Sequence, residues 1–145
     1  MKKRIEIIDH TADVGLRISG GSGRELFEAA AEGMISLMLD RKTVQGSETR
    51  EIHVEAETEE ELLRGWLREV LFVMERDGIV FRDFHIERDN LSKDNVSKYF
   101  ISAILGGEQQ DSHRHGICTE IKAVTRHNFS LSRGRVWNAT ILFDV

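Results

Sequence analysis

Residues 51–74 have the sequence EIHVEAETEEELLRGWLREVLFVM, and the spacing of the apolar residues changes within it. Over residues 51–57 apolar and polar residues alternate, which predicts a strand with one buried face. From Leu62 onward the apolar residues recur every three or four positions, which predicts an amphipathic helix. Thr58 and Glu61 form a capping box between the two segments, so the helix begins there. The stretch therefore indicates a protein that combines strands with helices.

The same two spacings recur along the rest of the chain. Another amphipathic helix is predicted from Ser22, which forms a capping box with Glu25, to Leu39, and Asp77-Gly78 ends the helix described above. Strands are predicted over residues 4–8, 14–18, 81–87, 96–105 (ending at Gly106-Gly107) and 117–125, with a polar loop over 108–116, a hairpin around Arg133-Gly134, and a last strand from Trp137 to the C-terminus.

The order of these elements predicts the fold class. The late strands have short connections, which require antiparallel pairing. Two amphipathic helices can cover one face of such a sheet. We therefore predict an α+β fold, a two-layer sandwich of mostly antiparallel sheet with two amphipathic helices on one face, and a single domain over residues 1–145.

Composition excludes several functional classes. Apolar residues make up 40% and charged residues 31%, which is typical of a folded globular protein. The net charge is −5 and no basic stripe is present, so we expect no strong direct binding of nucleic acid. No apolar run approaches the ~20 residues of a membrane span and no signal peptide is recognisable, so we expect no membrane association and a cytoplasmic location. Cys118 is the only cysteine, which excludes an internal disulfide and a cysteine-based zinc site.

Carboxylates near the two ends of the chain are candidates for a binding site. Asp13 lies in the turn between the first two predicted strands, and Asp144 and the terminal carboxylate of Val145 end the last strand. If the first and last strands are neighbours, the turn at Asp13 meets the chain end, and the groups form an oxygen-ligand set suited to Ca²⁺, Mg²⁺ or Mn²⁺. A cation or Lys122 would then offset their mutual repulsion. The alternative interpretation is that Asp9 and Asp13 are turn or capping residues and that Asp144 is solvated at the chain end.

Other polar residues give little support for catalysis. His113 and His115 have the right chemistry for zinc but lack the spacing of known zinc motifs. Cys118 is interpreted as a small core residue, and Ser22 as a helix cap rather than a nucleophile. The residues alone therefore predict at most a site for a hard cation.

Several segments resemble the archease family, in order along nearly the whole chain. Residues 9–15, with the sequence DHTADVG, resemble the signature of that family, and residues 120–125, EIKAVT, followed by His127, resemble its second signature. Parts of both helices, Gly107-Glu108 with His115, and the ending Phe143-Asp144-Val145 also match. One departure is Arg126, which stands where the family usually has tyrosine.

The resemblance implies a function that the residues alone do not. It implies a non-catalytic protein cofactor of the GTP-dependent, RtcB-type tRNA-splicing ligase, which promotes guanylylation of the ligase's active-site histidine and multiple turnover. It also implies a divalent metal ion, expected to be Ca²⁺, at Asp13, Asp144 and Val145, and activation of the ligase through Asp13, Lys122 and Asp144. The expected accessory residues are Asp9, His10, Glu120 and His127.

Two other classes of function stay open at this point. The chain could be a chaperone-like modulator of tRNA-modifying enzymes such as a tRNA methyltransferase. It could also be a small metal-dependent hydrolase that uses Asp13, Asp144 and a histidine. A hydrolase would turn over phosphoester substrates alone with added metal, whereas an activator would be silent until its partner enzyme is present.

Overall fold

The computed structural model describes residues 3–9, 13–117 and 119–145, with the side chain of Asp9 excepted. The elements follow in this order: β1 (Arg4–Asp9), β2 (Asp13–Gly20), α1 (Gly23–Met38), a 3₁₀ turn (Arg41–Thr43), β3 (Glu48–Ala56), α2 (Glu59–Asp77), β4 (Ile79–Asp89), β5 (Tyr99–Gln109), α3 (Ser112–His115), β6 (Ala123–Val124), β7 (Ser130–Ser132) and β8 (Trp137–Asp144). None of the helices among the described residues is long and apolar enough to cross a membrane.

The strands form two antiparallel sheets. The first has the order β1-β2-β8-β6, with β7 also paired to β8, and the second has the order β3-β5-β4. The α+β class, the antiparallel pairing and the two amphipathic helices are confirmed. The structure adds that the strands divide between two sheets, which the spacing of apolar residues does not reveal.

Both long helices begin at the predicted caps. The Ser22 hydroxyl accepts from the Glu25 N–H at 3.2 Å, and the Thr58 hydroxyl accepts from the Glu61 N–H at 3.1 Å. The second helix ends at Gly78, whose left-handed conformation (φ +62°) suits glycine at this position.

The core lies where the two helices meet the sheets. Helix α1 packs on β2 of the first sheet and on β4 of the second, and α2 packs mainly on β3. The fully buried indole of Trp66 in α2 donates to the carbonyl of Phe27 in α1 at 2.8 Å, so the helices are joined by a hydrogen bond inside the apolar core. The strand pairing brings the first residues of β2 and β6 and the last residue of β8 together at one end of the first sheet.

The predicted bounds of two strands, over residues 96–105 and 117–125, were wrong. Strand β5 begins at Tyr99 rather than at 96 and continues through Gly106-Gly107 to Gln109. A β-carbon on Gly107 would overlap the carbonyl oxygen of Val80 on β4, so this glycine permits close approach of the two strands rather than ending one. Of the predicted strand over residues 117–125, only Ala123–Val124 is assigned as a strand among the described residues, because only this short stretch pairs with β8. The predicted loop over 108–116 includes the last two residues of β5 and the short helix α3.

Candidate functional site

Asp13, near the N-terminus, and Asp144, near the C-terminus, meet at one end of the strands of the first sheet. Strand β2 begins at Asp13 and β8 ends at Asp144, and the antiparallel register places these two residues directly opposite each other. On its other side Asp144 is paired with Ala123 of β6. We call Asp13, Lys122, Asp144 and Val145 the sheet tip. The second strand, β2, is therefore the neighbour of the last strand, β8, whereas the first strand, β1, pairs with β2 and not with β8.

The register also places the side chains of Asp13 and Asp144 on the same face of the sheet. Directly opposed residues project to the same face of a sheet, with β-carbons about 4.5–5.5 Å apart. Asp13 is half-buried and its Oδ1 is buried, whereas Asp144 and Val145 are exposed. Two carboxylates this close repel each other, and an oxygen-ligand set of this kind suits a hard divalent cation. The residues present therefore fit the metal that the sequence predicts.

Lys122 is attached to this tip through the backbone. Its N–H donates to the carbonyl of Asp144 at 2.8 Å, and the Thr125 N–H donates to Leu142 at 2.9 Å, so this segment follows β8. The Lys122 side chain is exposed and has no carboxylate within 4.0 Å among the described residues. Its ammonium group is thus available to a ligand or partner beside the two aspartates.

The predicted accessory residues are less closely tied to the tip. Glu120 is exposed on the segment that leads to Lys122, and the exposed His127 contacts the amide of Asn128 at 3.3 Å. Asp9 pairs with Val14 through its strand, next to Asp13, but its side chain and the whole of His10 lie outside the described residues. Among the described residues, no hydrogen bond or ion pair joins the side chain of Glu120 or His127 to Asp144.

Arg126, which stands at the departure from the family pattern, is exposed and faces Glu61 at the start of α2. The two groups are 3.5 Å apart, with their side chains 71% and 49% exposed. A pair this exposed contributes little to stability. The ion pair of Arg126 therefore joins it to α2 and not to Lys122 or Asp144.

No ready-made metal centre of the histidine or cysteine type is present in the described part of the chain. Across residues 3–9, 13–117 and 119–145, no three His, Cys, Asp or Glu side chains are grouped to hold a metal ion. The predicted set consists of two aspartates and a chain terminus, so it is not such a group. Cys118, interpreted above as a core residue, lies outside the described residues.

A buried polar cluster that the sequence did not predict lies at the C-terminal end of β5. Glu108 and His115 are 7% and 2% exposed, and His115 Nε2 lies 3.3 Å from Glu108 Oε2. The Asp111 N–H donates to His115 Nδ1 at 2.9 Å, which assigns the ring proton to Nε2, facing the carboxylate. Glu108 also accepts from the Gln45 N–H and pairs with Arg114.

These contacts explain the chemistry of the cluster. The hydrogen bond from the Gln45 backbone, with smaller contributions from His115 and Arg114, lowers the pKa of Glu108 below its ordinary value. The Asp111 N–H thus holds Nδ1 of His115, while the buried Nε2 lies near Glu108 without a hydrogen-bond partner among the described residues. His113 is exposed on α3. The cluster ties the 3₁₀ turn region to α3, and it explains His115 without a metal. The family resemblance marked both residues, but nothing in their spacing indicated a contact.

Comparisons with known proteins agree over nearly the whole chain. Residues 5–145 match the model of the Archease protein family (MTH1598/TM1083). The chain is 37% identical to Protein archease of Methanosarcina barkeri over 144 residues, covering 99% of this chain and 97% of that protein. It is 36% identical to Protein archease of Pyrococcus abyssi over 146 residues, covering 99% of each. The solution structure of Methanobacterium thermoautotrophicum protein 1598 superimposes with a TM-score of 0.79 at 25% identity, covering 97% of this chain and 98% of that one.

Proposed function

Because the chain belongs to the archease family, we propose that it is a non-catalytic protein cofactor in tRNA processing, and that its partner is the GTP-dependent, RtcB-type tRNA-splicing ligase. In this role it promotes guanylylation of the ligase's active-site histidine and supports multiple turnover. The observation that supports the proposal most directly is the pairing of Asp13 with Asp144, with Lys122 hydrogen-bonded to the same residue.

The tip can present charge of both signs to a partner. Asp13, Asp144 and the carboxylate of Val145 would hold a divalent ion, Ca²⁺ by expectation, with Mg²⁺ or Mn²⁺ as alternatives. The bound ion would supply positive charge at the surface that meets the ligase. Lys122 adds a compact cation on a flexible stem, which suits contact with a phosphate or with a carboxylate of the partner.

Activation requires more than contact. A cofactor changes the rate of another enzyme only if it binds one conformation, or the transition state, more tightly than the other states. We infer that the tip binds the ligase beside its nucleotide pocket and favours the conformation competent for guanylate transfer. The acidic net charge of −5 favours approach to a basic RNA-binding enzyme, mainly through the association rate.

A guanylylation assay of the purified ligase, with and without this chain and over a titration of Ca²⁺, Mg²⁺ and Mn²⁺, tests the proposal. The natural chain should increase formation of the ligase–guanylate adduct, and Asp144→Ala and Lys122→Ala should abolish the increase while remaining folded. Glu87→Gln and Lys93→Ala are matched controls, because both residues are exposed and lie away from the tip on β4 and in the following turn.

Each outcome separates the candidate functions. Full stimulation by both folded tip variants would contradict the role of the tip. No stimulation by the natural chain at any metal concentration would contradict the ligase as partner, and the same assay with a tRNA methyltransferase then tests the chaperone-like alternative. Hydrolysis of phosphoesters by the chain alone with metal would instead favour an enzyme.

A further inference from the structure

A groove of about 690 Å³ runs beside the sheet tip, between α2 and residues 120–124. Helix α2 contributes Arg64, Arg68 and Phe72 to its wall, and the opposite side includes Ile121 and Lys122. Because Arg64 and Arg68 are four residues apart in a helix, they project from the same face. The groove therefore has cations on both of its sides.

Within the described part of the chain, Arg64, Arg68 and Lys122 lack the carboxylate partner that most arginines of this protein have. Arg17, Arg24, Arg50, Arg76, Arg82, Arg114, Arg126 and Arg133 each form an ion pair with a carboxylate. Among the described residues no carboxylate lies within 4.0 Å of Arg64, Arg68 or Lys122. Their positive charge is therefore directed into the groove without neutralisation by direct pairing.

Arg64 shows the cost of this arrangement most clearly. Its Nε is buried and has no hydrogen-bond partner among the described residues. Burial lowers the pKa of Arg64, as do the neighbouring cations Arg126 and Arg68, while Glu61 opposes the effect. A guanidinium group stays protonated in proteins, so the repulsion persists until an anion enters the groove.

An aromatic ring accompanies these cations. Phe72 is 54% exposed, which is unusual for a large apolar side chain of this protein, and the guanidinium of Arg76 lies 5.6 Å from its ring centroid. Ile121 and Leu71 also line the groove with apolar atoms. Unpaired cations along a groove with an exposed aromatic ring are the combination that binds single-stranded nucleic acid, by backbone contacts and base stacking.

We propose that this groove binds a short single-stranded segment of nucleic acid, with its phosphates on Arg64, Arg68 and Lys122 and a base stacked on Phe72. Glu75 and Glu120 also line the groove, and their carboxylates and the net charge of −5 oppose the binding of a polyanion. Binding is therefore local, weak and strongly salt-dependent, which agrees with the absence of a general basic stripe. The proposal goes beyond the proposed function and does not depend on the identity of the partner enzyme.

Fluorescence anisotropy of a labelled oligouridylate, titrated with the full chain at several potassium chloride concentrations, tests this proposal. Three phosphate contacts predict a slope of log affinity against log salt of about −2. Arg68→Gln should reduce the slope by roughly 0.7. The pair Arg64→Gln/Arg68→Gln should weaken binding at least ~10-fold, and Phe72→Leu should weaken it by a comparable factor without changing the slope.

Arg88→Gln is the matched control, because Arg88 is exposed on β4 and also has no carboxylate partner among the described residues. It should leave both affinity and slope unchanged. Arg68 is exposed, so its variant also guards against the chance that replacing the partly buried Arg64 unfolds the chain.

Three results would overturn the proposal. One is an absence of binding by the natural chain at low salt. Another is equal binding by the folded Arg68→Gln variant, which would locate the nucleic acid elsewhere. The third is binding of polyglutamate, but not of oligouridylate, that is weakened by the Arg68→Gln substitution. This result would make the groove a surface for an acidic protein. None of these assays contains the ligase, so their failure is distinguishable from failure of the proposed function.

Discussion

Asp13 and Asp144 are direct partners across β2 and β8, although they belong to opposite ends of the chain. Like charges in directly opposed positions destabilise a sheet. A cation bound by both carboxylates would offset their mutual repulsion. This relationship gives the metal hypothesis a consequence that can be measured without any partner enzyme.

We predict that divalent metal stabilises the natural chain and that removing one carboxylate removes this response. Asp144→Asn should have equal or slightly higher stability without metal, because the repulsion is relieved. At a metal concentration ~100 times its dissociation constant, the natural chain should gain about 2.7 kcal/mol, and Asp144→Asn should not. Thermal unfolding with and without Ca²⁺, Mg²⁺ and Mn²⁺ measures both effects. Glu87→Gln should respond to metal as the natural chain does, and an equal response from an Asp13→Asn/Asp144→Asn pair would place the ion elsewhere.

The buried Glu108 predicts a pH dependence of stability. Its pKa is lowered in the folded state by the Gln45 N–H, His115 and Arg114, so the ionised carboxylate stabilises the fold above its unfolded pKa of roughly 4.3. This stabilisation is lost as the pH falls through the lower pKa of the folded state. Glu108→Gln should therefore melt at a lower temperature than the natural chain at neutral pH, with the difference narrowing below about pH 4. A difference that stays constant into the acidic range would show that the carboxylate charge is not its cause.

A side chain at Gly107, in the central strand of the second sheet, should clash severely with the neighbouring strand. A β-carbon there would overlap the Val80 carbonyl and lie 2.9 Å from the Cα of Phe81, both of which are backbone atoms that cannot rotate away. Gly107→Ala should therefore lower the free energy of unfolding by about 1–3 kcal/mol or more, as measured by chemical denaturation. Gly134→Ala is the control, since the nearest atom to its added β-carbon is 3.9 Å away. Similar losses in the two variants would disprove the close approach of β4 and β5.

Arg126 offers a test of whether the departure from the family pattern matters. Its pair with Glu61 is exposed, so Arg126→Tyr should change the free energy of unfolding by less than about 1 kcal/mol. Because the arrangement of the tip does not involve this side chain, stimulation of the ligase should be unchanged in the same guanylylation assay. A gain of stimulation on restoring tyrosine would instead assign the ring a role in activation.

Much of the fold could be predicted because local physics determines it. The capping boxes at Ser22 and Thr58 satisfy N–H groups within a single turn, so their residues are close in sequence and recognisable there. The boundaries that failed depend on another strand instead. Gly107 resembles the end of a strand in the sequence, and only the fold shows that the Val80 carbonyl of β4 occupies the place that a β-carbon would need.

The sequence by itself determined the helices, most strands, the antiparallel pairing and the identity of the tip residues, since each follows from short-range spacing or from a motif. The tertiary structure alone decided that Asp13 and Asp144 share one face, that Glu108 and His115 are buried together, and that Arg64, Arg68 and Lys122 lie around one groove. The physical reason is that electrostatic and packing energies depend on distance in space, and residues far apart in the chain acquire such distances only when the sheets and helices assemble.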